Sequence, residues 1–142
     1  MTGKQPKRKE RRGVDRVGRT PLHYAVADGK LEEARRLLAS GADANARDDN
    51  GWSPLHFAAQ GWRVDLANLL LSSGAAIDAQ DSFGNTPLGK AVFNSRGRSD
   101  LIALLRAHGA DPTLENKHGV SPLGLAKTIA NDDVINLFTD VR

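Results

Sequence analysis

Thr20-Pro21-Leu22, Ser53-Pro54-Leu55, Thr86-Pro87-Leu88 and Ser121-Pro122-Leu123 are one tripeptide written four times, with prolines 33, 33 and 35 residues apart. A fixed period of this size marks a small structural unit stacked on copies of itself. Two other signals keep the same register. Asp15-x-x-Gly18, Asp48-x-x-Gly51, Asp81-x-x-Gly84 and Asn116-x-x-Gly119 fall just before each Thr/Ser-Pro step. Gly41-Ala42-Asp43, Gly74-Ala75-Ala76 and Gly109-Ala110-Asp111 follow about twenty residues after the first three prolines. Such a stack has a broad exposed face and no single deep core to enclose a reaction centre. The periodicity therefore points to binding rather than catalysis.

Each copy reads the same way in local chemistry. The Asx-x-x-Gly step is a turn: the Asx side chain bonds nearby backbone and Gly accepts positive φ. Thr or Ser then serves as N-cap, with Pro in the first helical position, where its missing N–H is not needed. The pattern predicts a short helix over about Pro21–Ala27, with Leu22, Ala25 and Val26 on one face. Gly29 breaks it. A second helix over about Leu31–Ser40 carries Leu31, Ala34, Leu37 and Leu38 on one stripe, and Gly41 stands as its left-handed C-terminal cap. The unit is turn, helix, break, helix.

Thr20-Pro21-Leu22-His23-Tyr24-Ala25 and Ser53-Pro54-Leu55-His56-Phe57-Ala58-Ala59 resemble the signature of the ankyrin repeat family. Gly41-Ala42-Asp43-Ala44-Asn45-Ala46 and Gly74-Ala75-Ala76-Ile77-Asp78-Ala79 are similar to that family's segment after the second helix. The resemblance covers about Val14 to Asp140. It implies an all-α ankyrin-repeat solenoid of four helix-turn-helix units, with β-hairpin-like fingers projecting from one edge. The expected organisation is a basic, disordered N-terminal tail over 1–13 and a repeat domain over 14–142. Its units span about 14–47, 48–80, 81–115 and 116–142.

The copies depart from one another in informative ways. Gly89 and Gly124 replace the signature His in the third and fourth units. The third unit holds two extra residues, placed within Asn94-Ser95-Arg96 before Gly97, which lengthen its inter-helix loop. Trp62 stands where the first unit has Gly29. The apolar site of Leu31 and Val64 becomes Ser99 and then Asp132. Lys127, Asn131 and Asp132 read as a polar cap, because a terminal unit has no neighbour to cover its outer face. The fourth unit is expected to pack more loosely.

Charge divides the chain. Residues 1–19 hold eight Lys/Arg against Glu10 and Asp15, a net of +6, and the other 123 residues hold 12 basic and 15 acidic groups, a net of −3. The basic start has no apolar segment after it and does not read as a secretory signal. No stretch approaches the ~20 apolar residues of a membrane span. There is no cysteine, hence no thiol chemistry, which suits a cytoplasmic location. His23 and His56 read as local ties between finger and helix. With His108 and His118 they form no metal-ligand spacing. No nucleophile elbow or Gly-rich phosphate loop is present. No cofactor, metal or catalytic residue is assigned.

In ankyrin stacks the finger tips and the ends of the first helices line the concave side, where partners dock. By this resemblance Trp52, Trp62, Phe83 and Phe93 gather on one surface of units two and three. Aromatic side chains are favoured interface anchors, although rings in such places also pack between fingers. Tyr24 reads as packing, because Phe57 holds the equivalent place. Arg16, Arg19, Asn50, Asn85, Arg96 and Arg98 frame the aromatic patch with the mixed polarity of an interface rim. The leading reading is a non-enzymatic module, monomeric when free, that binds one partner protein through the concave face. Small free-standing ankyrin proteins resemble bacterial binders, some of which act as immunity or inhibitor partners of toxins and enzymes. The alternative is a nucleic-acid-associated or nuclear adaptor led by Lys7-Arg8-Lys9-Glu10-Arg11-Arg12. Outside that tail, nucleic acid is disfavoured by the acidic body.

Overall fold

The computed structural model describes residues 14–129 and 132–141. The tail over 1–13 and the capping residue Asn131 lie outside the described residues. Thr20, Ser53 and Thr86 each cap a seven-residue helix that opens on Pro: α1 (Pro21–Ala27), α3 (Pro54–Gln60) and α5 (Pro87–Phe93). A fourth such helix, α7 (Pro122–Ile129), follows Ser121. The returning helices are α2 (Leu31–Ala39), α4 (Val64–Ser72), α6 (Asp100–Ala107) and α8 (Asp132–Ile135). A 3-10 turn, Asn136–Phe138, completes the last unit.

The short helices stack in one row, α1 on α3 on α5 on α7, and the returning helices α2, α4 and α6 form a second row behind them. One core runs between the rows. Leu55, Leu88, Val92, Leu101, Ile102 and Leu105 in it are fully buried. Truncating such a Leu to Ala typically removes ~2–5 kcal/mol. Ala25, Ala58, Ala91 and Ala126 occupy one register position, and all are buried. A small side chain there lets neighbouring short helices approach closely.

The fingers are hydrogen-bonded turns, and no β-strand occurs among the described residues. Each folds around one side-chain oxygen. Asp48 Oδ1 accepts the Asn50 and Trp52 amides at 2.9 Å each, and Asp81 Oδ1 accepts those of Phe83 and Asn85 at 2.9 Å. Asp15 and Asn116 do the same for their own fingers. Neighbouring fingers are then joined by single backbone bonds: Asp49 to Val17, Ser82 to Asn50 and Lys117 to Phe83, each 2.9 Å. The approach is close enough to demand glycine. A Cβ on Gly51 (φ +77) would meet the Ser82 nitrogen at 2.9 Å, and one on Gly84 (φ +81) the Asn116 Cα at 2.9 Å.

His23 and His56 lock finger to helix and unit to unit. The Thr20 amide donates to His23 Nδ1 at 2.9 Å, while the His23 amide donates back to the Thr20 hydroxyl at 3.3 Å. Nε2 reaches the Trp52 carbonyl of the next finger at 2.9 Å. A carbonyl only accepts, so Nε2 carries the proton. His56 repeats the arrangement with Ser53 and the Asn85 carbonyl at 2.8 Å. In the third unit Thr86 still caps Gly89, but the bridging imidazole is gone. A small cavity of about 20 Å³ lined by Gly89, Asn85, Val120 and Pro122 lies there instead.

The extra residues of the third unit form a tight loop in which Arg96 (φ 49) and Gly97 (φ 81) both turn left-handed. Ser99 holds the register position at which Leu31 and Val64 open α2 and α4, but it is the residue before α6, so this helix is one residue shorter. In the fourth unit Lys127 and Asp132 are exposed, as a polar cap requires. The returning helix shrinks to α8, yet Val134 and Phe138 are buried and close the core.

The histidine bridges make stability depend on pH. Burial holds the pKa of both His23 and His56 below the ordinary value of 6.5, only partly offset by the carbonyls at Nε2. The unfolded chain therefore binds protons that the folded chain refuses, and stability falls as pH drops below ~6.5. The urea midpoint should be flat between about pH 7 and 8, where the imidazoles are neutral in both states, and should fall from about pH 6.5 to 5.5, above most carboxylate titration. The decline should shrink in the His23→Gln, His56→Gln chain. A midpoint that holds or rises on acidification over that range would contradict the bridge.

Candidate protein-binding face

Trp52 closes the second finger, its amide held by Asp48 and its carbonyl by His23. The ring is half-buried. It lies 4.9 Å from the Phe57 ring and 6.0 Å from that of His56. Lys90, on α5 of the next unit, places its ammonium 4.1 Å above the indole. The same ammonium lies 3.6 Å from Asp81 Oδ2, on a carboxylate whose side chain is fully buried. Among the described residues that oxygen accepts no hydrogen bond. Lys90 thus faces a buried charge and a neighbouring ring at once.

Trp62 is also half-buried. It adopts φ 55 at the position where Gly29 has φ 73. Left-handed backbone under a bulky side chain is strained by on the order of 1–3 kcal/mol and persists only where its surroundings hold it. Here the third unit does so. The Trp62 Nε1 donates to Asp100 at 2.9 Å and the Arg98 guanidinium stacks 4.4 Å from the ring. Arg98 is itself fixed by donating to the Ser95 and Asn94 carbonyls. Asn94 reaches back to Gln60 of α3 at 3.2 Å.

Phe83 and Phe93 behave differently. Phe83 at the third finger is 57% exposed and Phe93 at the end of α5 is 67% exposed. They are separated by α5, about 10 Å of helix at 1.5 Å per residue. By element, Trp52 and Phe83 belong to the fingers of units two and three, while Trp62 follows α3 and Phe93 ends α5.

The polar residues divide in the same way. Arg19 pairs with Asp48 at 3.3 Å and lies 5.2 Å over Phe57. The Asn85 backbone oxygen takes the His56 bridge, and its side chain accepts from Asn116 at 2.9 Å. Asn50 is exposed, with its carbonyl spent on Ser82. Arg16 and Arg96 are exposed. Tyr24, expected as packing, is 41% exposed. Its hydroxyl donates to Asp15, which holds that carboxyl below its usual range. The Asp15–Tyr24 bond turns the ring toward the finger rather than into the stack. Lys90 was not singled out by the sequence reading. The signal available was a cation at the register position of Tyr24 and Phe57.

Among the described residues no group of three His, Cys, Asp or Glu side chains is placed to hold a metal ion. No helix there is long and apolar enough to cross a membrane.

Paired short and returning helices, stacked in two rows and joined by turn-like fingers, define a helical-repeat protein. A family model described as ankyrin repeats (3 copies) matches residues 4–81 and 22–116, and the chain belongs to that family, whose repeats are protein–protein interaction modules. It is similar to the mouse and human proteins named Ankyrin repeat domain-containing protein 13B, each 54% identical over 39 residues, 28% of this chain and 6% of the relative. It is also similar to Potassium channel AKT1 of Oryza sativa subsp. indica, 51% identical over 37 residues, 26% of this chain and 4% of the relative. The chain thus spans a small fraction of the length of these curated relatives, and the likeness is that of about one repeat.

Removing Lys90 should expose the debt at Asp81. Lys90→Ala leaves a buried carboxylate without the ammonium that faces it. A loss toward the lower end of ~3–5 kcal/mol is expected, because Lys90 keeps some solvent contact. Urea unfolding checks this, and a loss below about 0.5 kcal/mol, the scale of a surface substitution, would show that the pair carries no structural role.

Proposed function

We propose that this chain is a non-enzymatic protein-binding module that takes its partner on the inner face of units one to three. One observation carries the reading. Among the described large hydrophobic side chains none is more exposed than Phe93 at 67% and Phe83 at 57%. Burying each ring against a partner is worth roughly 1.5–3 kcal/mol. Trp52 and Trp62 are half-buried and already ordered by Lys90 and Arg98. Ordered side chains lose little entropy on docking. Arg16, Arg19, Asn50, Asn85, Arg96 and Arg98 are the rim. A face of this length suits a standard interface of ~800 Å² per partner.

The narrower role we favour is that of a blocking partner, an inhibitor or immunity-type protein that covers the working surface of an enzyme or toxin in the cytoplasm. The exposed rings of the inner face, set on an ordered scaffold, support it. The tail-led adaptor reading would instead place binding on the basic residues before Val14.

Affinity capture from the source cell separates the two, using the intact chain, the Phe83→Ala/Phe93→Ala chain and a chain with Lys7, Arg8, Lys9, Arg11 and Arg12 changed to Gln. The two substitutions, both at exposed positions, should each change stability by no more than about 0.5 kcal/mol. The phenylalanine variant should lose the main partner at least tenfold, while the tail variant retains it. Retention by the phenylalanine variant, with loss by the tail variant, would overturn the inner-face reading.

A further inference from the structure

Exposed apolar side chains are concentrated toward units three and four. Of the six large hydrophobic side chains that are exposed among the described residues, Phe83, Phe93, Val120 and Ile129 belong to those units. Val17 and Tyr24 belong to unit one, and none to unit two. Phe83, Phe93 and Ile129 stand at register positions that are open in the interior of the stack as well. Asn50, Gln60 and Gly61 are their counterparts in unit two, and all three are exposed. The openness of these positions is therefore a property of the inner face and not of an end. α5 and α7 pack side by side, which sets Phe93 and Ile129 on neighbouring helices whose axes lie ~8–10 Å apart. Leu125, one turn earlier on α7, is half-buried and continues the strip toward the fourth finger. That finger is tied to Phe83, whose carbonyl accepts the Lys117 amide at 2.9 Å.

Charge is segregated in the same two units. Their fingers and short helices, residues 82–98 and 116–129, hold Lys90, Arg96, Arg98, Lys117 and Lys127 and no carboxylate. Apart from buried Asp81, which Lys90 faces, the carboxylates of both units come on or after the returning helices. The stretches of units one and two that match 82–98 carry Asp28 and Asp49. Lys117, Arg96 and Arg98 are exposed, and no ion pair among the described residues uses them. The apolar strip is thus edged by Lys117 at its finger end and by Arg96 and Arg98 at its helix end. Such an edge selects carboxylates on the partner. A nucleic acid would meet the cations, but Leu125 and Ile129 give its bases no ring to stack on. A second copy would have to offer its acidic side, and none of the six exposed large hydrophobic side chains lies on a returning helix. Building on the inner-face reading, we infer that the partner contact extends onto unit four and takes an acidic protein segment. Its apolar side chains cover Phe83, Phe93 and Ile129, and its carboxylates pair with Lys117 and Arg96.

The test selects binders of the full chain from random peptides displayed on phage and measures the enriched sequences as labelled synthetic peptides by fluorescence anisotropy. Enriched peptides should be net acidic and carry two or more large apolar side chains. Ile129→Ser should weaken them about tenfold. Lys117→Gln/Arg96→Gln should weaken them severalfold at low salt and less at high salt. All three positions are exposed, and circular dichroism checks that the fold is kept. Phe83→Ala/Phe93→Ala should weaken them too, as the inner-face reading requires. Loss in the phenylalanine variant, with either of the other two variants unchanged, would keep the inner face and overturn the acidic contact on unit four. No effect of any of the three would overturn both. Enrichment of neutral or basic peptides, or no enrichment at all, would also overturn the proposal. A single-stranded oligonucleotide that binds the intact chain and is lost in Lys117→Gln/Arg96→Gln would make nucleic acid the occupant and overturn it. A concentration-dependent dimer abolished by Ile129→Ser, seen by sedimentation equilibrium, would do the same in favour of a second copy.

Discussion

Every finger in this protein is folded around a single side-chain oxygen at its base. Asp15, Asp48, Asp81 and Asn116 each accept two backbone amides from their own turn. Backbone groups withdrawn from water must find partners, and four-residue turns cannot supply them from backbone alone. The side-chain oxygen, carboxylate in three fingers and amide in the fourth, does so, and it fixes where the turn's remaining N–H and C=O groups point. The inter-finger bonds at Val17, Asn50 and Phe83 use those groups. The His23 and His56 bridges use the carbonyls of Trp52 and Asn85. Placement of exposed Phe83 and half-buried Trp52 descends from this one interaction, since their amides are among those the carboxylates hold.

The joints are not equal. Units one and two, and two and three, are each tied by an imidazole. The joint between three and four has Gly89 and a small cavity in its place. In repeat proteins stability is close to a sum of unit and nearest-neighbour terms, so that joint should be the weakest of the three. The first two joints underlie the inner face that carries the proposed anchors. A closed core at Val134 and Phe138, with Arg106 5.6 Å from the Phe138 ring and paired to Asp140, lets the fourth unit serve as a lid on the apolar end.

Local elements were legible in the sequence because their causes are local. Thr20-Pro21 and Gly29 bound α1 at the residues the structure shows, and Gly41 ends α2 in the expected left-handed turn. The surroundings of Trp52 and Trp62 were not legible. They depend on Lys90, Arg98 and Asp100, which stand about 36–38 positions away and reach the rings only once the units stack. Lys90 is the clearest case: in a linear reading it is one more charged residue, and its meaning appears when Asp81 is found buried beside it. The start of α6 was hidden for a related reason, since it falls at Asp100, one position after the register site of Leu31 and Val64, behind the extra loop residues.

Amide hydrogen exchange on the free chain tests most directly whether the fingers are held as preformed parts of the stack. The amides of Trp52 and Asn85, bonded to buried Asp48 and Asp81, should exchange with protection close to that of the core amides of α3 and α5. Exchange of these two amides at rates typical of open loops, alongside well-protected helices, would show that the fingers order only on binding and would contradict a preorganised inner face.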